Sequence, residues 1–153
     1  MIDRTVPDLS LPATGGHVID FRALRGSPFV LYFYPKDNTP GCTTEGQNFR
    51  ELHEKFAALG WKVFGISRDS VKSHEAFKTK MQFPFELISD ADEKACAAFG
   101  VIKEKNMYGR KVLGIERSTF AVDGGGIVRK EWRAVKVPGH ADAVLEFARS
   151  QGK

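Results

Sequence analysis

The chain has 153 residues, 42% hydrophobic and 27% charged, which suits one packed domain of ordinary globular composition. The net charge of +4 is dispersed. Its densest basic patch, KEKNMYGRK at 103–111, contains a Glu and one aromatic residue and reads as a solvated surface, so no nucleic-acid partner is expected. No apolar run approaches the roughly 18 residues of a membrane span, and MIDRTVPDLSLPATGG at the start lacks a basic segment followed by an apolar one. The expectation is a cytoplasmic protein with no membrane partner.

In chain order, residues 1–25 form an extension with a small hairpin around Gly15-Gly16. FVLYFY (29–34), bounded by Pro28 and Pro35, predicts a buried central strand. A helix follows from Thr39 or Gly41 to Leu59 and stops at Gly60. WKVFGIS (61–67) is the next strand, SVKSHEAFKTKM (70–81) a helix with Ser70 as N-cap, and FELIS (85–89) a short strand. Asp90 then opens a helix that runs to Phe99 and stops at Gly100. This alternation predicts βαβ units and a parallel core. STFAVDGGGIVRKEWRAV (118–135) changes the pattern to an antiparallel hairpin, and a last helix covers 141–150. The predicted class is α/β: a thioredoxin-like fold, with a mixed sheet between helices, as one domain over 1–153.

Two cysteines, Cys42 and Cys96, are too few for a disulfide framework or a four-cysteine zinc site. In a reducing cytosol both are free thiols at rest. Cys42 follows Thr39-Pro40-Gly41, where the apolar strand gives way to the helix. Positions 42, 45, 49, 52, 56 and 59 hold Cys, Glu, Phe, Leu, Phe and Leu, the inward stripe of an amphipathic helix. Cys42 is thus on the inner edge of the first turn, where free N–H groups and the helix dipole favour a thiolate. Pro40 suits a helix start, and Gly41 allows a close backbone approach. Glu45 on the same stripe requires a partner. The residues alone leave two readings open, a reactive thiol and a packed core cysteine.

Pro35-Lys-Asp-Asn-Thr39-Pro-Gly-Cys42 matches the Pro-x-x-x-Thr-x-x-Cys signature of peroxiredoxins. With SRDSVKSHEAF (67–77), VIKEKNMYGRKVLGIERSTF (101–120) and KVPGHADAVL (136–145), the chain resembles the bacterioferritin-comigratory, or Q-type, branch from about Asp3 to Ser150. The resemblance implies a thiol peroxidase acting on hydrogen peroxide and organic hydroperoxides. Cys42 would be the peroxidatic cysteine, oxidised to a sulfenic acid. Thr39 would hydrogen-bond the thiolate and the peroxide. Arg117 would stabilise charge on the sulfur and on the leaving oxygen. Glu45 would orient Arg117, Pro35 would shield the sulfur from water, and the amides of Gly41 and Cys42 would help bind the peroxide.

The chain departs from that branch in its second cysteine. The two familiar resolving positions, 47 and 78, hold Gln47 and Lys78. Cys96, near the inner edge of ADEKACAAFG, is a candidate resolving residue, and the competing reading is a packed small side chain. The expectation is a one-cysteine, monomeric enzyme reduced by thioredoxin, glutaredoxin or a small thiol, without cofactor.

Other motifs carry less. His17, His53, His74 and His140 lack ligand spacing with cysteine or carboxylate, so no metal is expected. A Cys–His hydrolase fails because His53 lies three turns from Cys42. Asp90, Asp92 and Glu93 read as a helix-start charge bias rather than a calcium loop. Tyr34 and Tyr108 are either substrate-mouth residues or packing residues. The alternative function is a redox sensor or chaperone-like binding protein that uses Cys42 as a switch. A dithiol oxidoreductase is disfavoured, since residues 42–45 hold no Cys-x-x-Cys.

Overall fold

The computed structural model describes residues 1–151, except the side chain of Met107. The extension supplies β1 (Ser10–Pro12) and β2 (Val18–Asp20), joined through a short 3-10 turn at Thr14–Gly16. Then come β3 (Phe29–Phe33), α1 (Pro40–Ala58), β4 (Lys62–Ser67), α2 (Val71–Met81), β5 (Leu87–Ser89) and α3 (Lys94–Phe99). The second half holds β6 (Ile102–Met107), β7 (Arg110–Ile115), β8 (Ser118–Val122), β9 (Val128–Trp132) and α4 (His140–Gln151). Among the described residues, no helix is long and apolar enough to cross a membrane.

The main sheet runs β5-β4-β3-β8-β9. β3 pairs in parallel with β4 and antiparallel with β8, so it is central, and all five of its residues are buried. Strand alternation assigns its side chains to two cores. Phe29, Leu31 and Phe33 face a layer with α3 and the N-terminal extension. Val30, Tyr32 and the following Tyr34 face a layer containing α1, α4, and Phe77 and Met81 of α2. This is the thioredoxin-like mixed sheet that the order of elements predicts.

Local chemistry explains most boundaries. Pro40 opens α1 with Thr39 as N-cap. Ser70 caps α2 as predicted, its Oγ accepting from the Ser73 N–H at 3.1 Å. α3 starts four residues later than predicted because Glu93 takes a left-handed φ of 61°. Asp90 is not its first residue; its carboxylate reaches over that turn to accept from the Ala95 and Cys96 amides at 3.0 and 2.7 Å.

The main departure is the β6–β7 ribbon, whose basic patch at 103–111 the sequence predicts only as a solvated surface. Tyr108 and Gly109 both have positive φ, 54° and 78°, the turn that matches the twist of a two-residue hairpin. The Asn-Gly signal is absent, and exposed Lys, Arg and Glu side chains obscure the strand alternation.

Candidate active site

Cys42 is the third residue of α1 and 2% exposed. The free amides of the first turn surround it, and the N-terminal end of the helix favours negative charge there. Arg117 comes from the connection between β7 and β8, beside the end of the central strand. Its Nη2 donates to Cys42 Sγ at 3.4 Å and its Nη1 to Glu45 Oε1 at 2.6 Å. The arginine backbone is tied on both sides: its carbonyl accepts from the Val135 N–H at 2.9 Å, and Ser118 Oγ donates to the Glu116 carbonyl at 2.9 Å. The fold brings together Cys42, Glu45 and Arg117, three of the residues that the resemblance singles out.

Gly41 admits the arginine. A β-carbon at that position would stand 3.1 Å from Arg117 Nη2, closer than ordinary packing allows. Pro35 follows the end of β3 and is half-buried. Thr39 is placed differently from expectation. Its hydroxyl donates to the Lys36 carbonyl at 2.8 Å, closing the 36–39 turn, so its proton is not aimed at the sulfur.

Burial and charge set the titration of the neighbours. Glu45 is 1% exposed; burial raises its carboxyl, Arg117 opposes that, and the net effect is a pKa raised to about 7. Burial works against charge on Arg117, but Glu45 and Cys42 more than offset it and hold the guanidinium more firmly protonated than usual. Two further groups lie in the same field. Lys105 on β6 donates to the Ile115 carbonyl at 2.5 Å, and burial and then Arg117 lower its pKa, with Cys42 opposing. His140, at the start of α4, has Nε2 2.8 Å from Thr119 Oγ1 and is pushed down to about 4 by burial and then by Arg117. Sequence reasoning missed Lys105, whose ribbon it did not recognise, and weighed His140 only as a metal ligand.

A family model of the AhpC/TSA family matches residues 2–131. The chain belongs to the AhpC/TSA family. It is 56% identical over 146 residues to peroxiredoxin Bcp of Xanthomonas campestris, spanning 95% of this chain and 91% of that one. Peroxiredoxin Bcp of Bacillus subtilis is 46% identical over 145 residues, spanning 95% and 92%. Among solved structures, the X. campestris bacterioferritin comigratory protein superposes with a TM-score of 0.92 at 55% identity, over 97% of this chain and 94% of that one. A Xylella fastidiosa PrxQ variant gives 0.95 at 44% identity, over 100% and 98%. These relatives make the chain a peroxiredoxin of the Bcp, or Q, type; peroxiredoxins are peroxidase enzymes, and the family sets the thioredoxin-like fold.

In this peroxiredoxin the two thiols are free and both buried. They occupy opposite faces of the main sheet, Cys42 in the layer of α1 and α4 and Cys96 in the layer of α3. Burial and the adjacent Asp90 push the Cys96 thiol far up, which disfavours the thiolate needed for disulfide exchange. Gln47 is half-buried on α1, and Lys78 forms an ion pair with Glu86, whose other oxygen accepts from Thr14 Oγ1 at 2.5 Å.

The tyrosines separate. Tyr108 is fully exposed at the ribbon tip, whereas Tyr34 is buried and donates to Asp37 Oδ1 at 2.6 Å. One grouping was invisible in the sequence. Asp37, Asp69 and His74 converge with their donor atoms within 4.8 Å of one another, a set of potential metal ligands that sequence spacing does not show. In this protein each is engaged by hydrogen bonds to neighbouring side chains or backbone.

Proposed function

We propose that this peroxiredoxin reduces hydrogen peroxide and organic hydroperoxides through Cys42 alone, with an external thiol closing the cycle. The observation that carries the reading is the guanidinium of Arg117 held by Glu45 within hydrogen-bond reach of Cys42 Sγ. The thiolate attacks the terminal oxygen of the hydroperoxide. An S–O bond forms as the O–O bond breaks, sulfur is oxidised by two electrons, and the leaving oxygen takes a proton to become an alcohol or water. Arg117 meets the negative charge as it moves from sulfur to the leaving oxygen. The Gly41 and Cys42 amides and Thr39, through its free lone pairs, line the approach, and Pro35 keeps bulk water off the sulfur.

The sulfenic acid is then attacked by a thiol, releasing water and leaving a mixed disulfide. A second thiol frees Cys42. Thioredoxin, glutaredoxin or a small thiol serves as reductant. The solved X. campestris relative is described by its alkyl peroxide reduction activity, which supports organic hydroperoxides as substrates. Two free thiols suit a reducing cytoplasm, and the working unit is a monomer built of one domain over 1–153.

The test is repeated turnover of hydrogen peroxide and cumene hydroperoxide with dithiothreitol, then with thioredoxin or glutaredoxin systems. Many turnovers per protein establish the peroxidase. A single stoichiometric oxidation would instead favour the sensor.

A further inference from the structure

The segment between β3 and α1 carries Pro35 and Thr39 and sets where the head of α1 begins. Among the described residues, residues 35–38 exchange no backbone–backbone hydrogen bond with the rest of the protein. Asn38 also sits at a left-handed φ of 61°, a conformation that its surroundings must maintain. The segment is fixed by side chains, and Asp37 is its anchor.

Asp37 is 7% exposed and saturated with partners from three directions. Oδ1 accepts from Tyr34 Oη at 2.6 Å, Oδ2 accepts from Ser73 Oγ at 2.8 Å, and the Asp37 N–H donates to Asp69 Oδ2 at 2.8 Å. His74 on α2 completes it. Its Nδ1 lies 2.7 Å from Asp37 Oδ2, and its Nε2 donates to the Ile88 carbonyl of β5 at 2.9 Å, with the ring fully buried. A carbonyl oxygen only accepts, so Nε2 carries a proton, and one more proton lies between Nδ1 and Oδ2 whichever atom holds it. The imidazole is a fixed strut from the sheet, through α2, to the segment ahead of Cys42.

The geometry points to His74 and Asp37 as positioning residues for the peroxidatic site: they hold the 35–39 segment, and with it the first turn of α1, in the peroxide-reactive arrangement. Neither touches the reacting atoms. The role rests on reading Cys42 as the peroxide-reactive sulfur. A preorganised site loses rate steeply when a reacting group shifts by about 1 Å, up to about 100-fold.

The test compares Asp37→Asn, His74→Gln and the double variant with Val128→Ala. Val128 is a buried β9 residue on the opposite face of the sheet, level with Phe29 at the far end of β3, and its truncation supplies a general loss of stability. Stopped-flow oxidation of Cys42 by hydrogen peroxide is read beside amide hydrogen exchange over residues 36–46. Each single variant is expected to slow oxidation about 10- to 100-fold and to speed exchange at 36–46. The double variant should be little worse than either, because the two residues act as one unit. Val128→Ala, at matched loss of Tm, should change neither. Tyr34→Phe, which keeps the ring in the core and removes one donor, should slow oxidation about two- to tenfold. The proposal is overturned if the singles stay within about twofold of wild type, if their losses multiply in the double variant, or if Val128→Ala matches them. Should wild-type Cys42 fail to react with peroxide, the functional reading falls. The exchange measurement then judges the anchor alone, and unchanged protection at 36–46 overturns it.

Discussion

Glu45 gives Arg117 one carboxylate oxygen at 2.6 Å and keeps the other, Oε2, buried without a hydrogen-bond partner among the described residues. The carboxyl is thereby raised from 4.5 to about 7, burial being the larger cause and Arg117 the opposing one. Between those values the folded state holds a proton that the unfolded state has released. Stability therefore falls as pH rises through the window, by on the order of 3 kcal/mol in full. His140 works in the other direction. Its pKa falls from 6.5 to about 4, so the unfolded state binds the extra proton and stability rises with pH over that range. The two slopes oppose each other below about 6.5. Glu45→Gln removes one of them, and its unfolding free energy relative to wild type should increase from pH 4.5 to 7. Urea titrations across that range check this, and a pH-independent difference would contradict it.

Cys42→Ser should abolish peroxide turnover, whereas Cys96→Ser should retain most of it with an external thiol. The sheet separates the two sulfurs, and neither Gln47 nor Lys78 offers another. Steady-state assays with dithiothreitol and with a thioredoxin system measure both. Loss of turnover in Cys96→Ser at intact fold would show that the second thiol takes part.

Arg117→Ala should slow oxidation of Cys42 by about 100- to 1,000-fold, the usual loss for one preorganised donor at developing charge. Lys111→Ala is the matched control. It removes a cation from the exposed ribbon, where the lysine meets Glu104 at 3.5 Å with 80% of its side chain in solvent. Stopped-flow fluorescence on the two variants distinguishes them, and equal losses would mean that charge alone, rather than position, matters.

Gly41→Ala separates activity from stability. Alanine is the better helix residue by up to about 1 kcal/mol, so Tm should hold or rise slightly. The added methyl meets Arg117 Nη2 at 3.1 Å and must displace it by a few tenths of an ångström. The peroxide rate should drop by about tenfold or more. A variant as fast as wild type would show that Arg117 relaxes freely.

Excess peroxide without reductant should inactivate the enzyme progressively. With no thiol at position 47 or 78, the Cys42 sulfenic acid has no second thiol on its own face of the sheet to condense with, and a second peroxide carries it to sulfinic acid. Peptide mass spectrometry should count two added oxygens on Cys42, and early thiol should prevent it. A prompt Cys42–Cys96 disulfide would sink this expectation.

What could be read in advance depended on how local each signal is. The stripe Cys42, Glu45, Phe49 is a period of one helix, and the Ser70 cap lies one turn from the N–H that donates to it, so both were legible. Arg117 was legible only through its motif, because 75 residues separate it from the sulfur it meets. The Asp37–His74 anchor draws on β3's end, β4's end, α2 and β5, and no spacing within one element encodes it. The β6–β7 ribbon was lost for a different reason. Its exposed basic side chains resemble a loop, and the strand pairing that orders it lies within the ribbon itself.

Placing one cysteine on each side of the sheet also gives the molecule two independent stopwatches. Cys42 lies at a helix end, where a single turn can open without disturbing the rest. Cys96, on the inner face of α3, is 0% exposed and meets solvent only when the layer behind the sheet comes apart. Timed alkylation followed by mass counting therefore reads two different events from one sample. The first label marks the opening of the helix head, and the second marks loss of the fold.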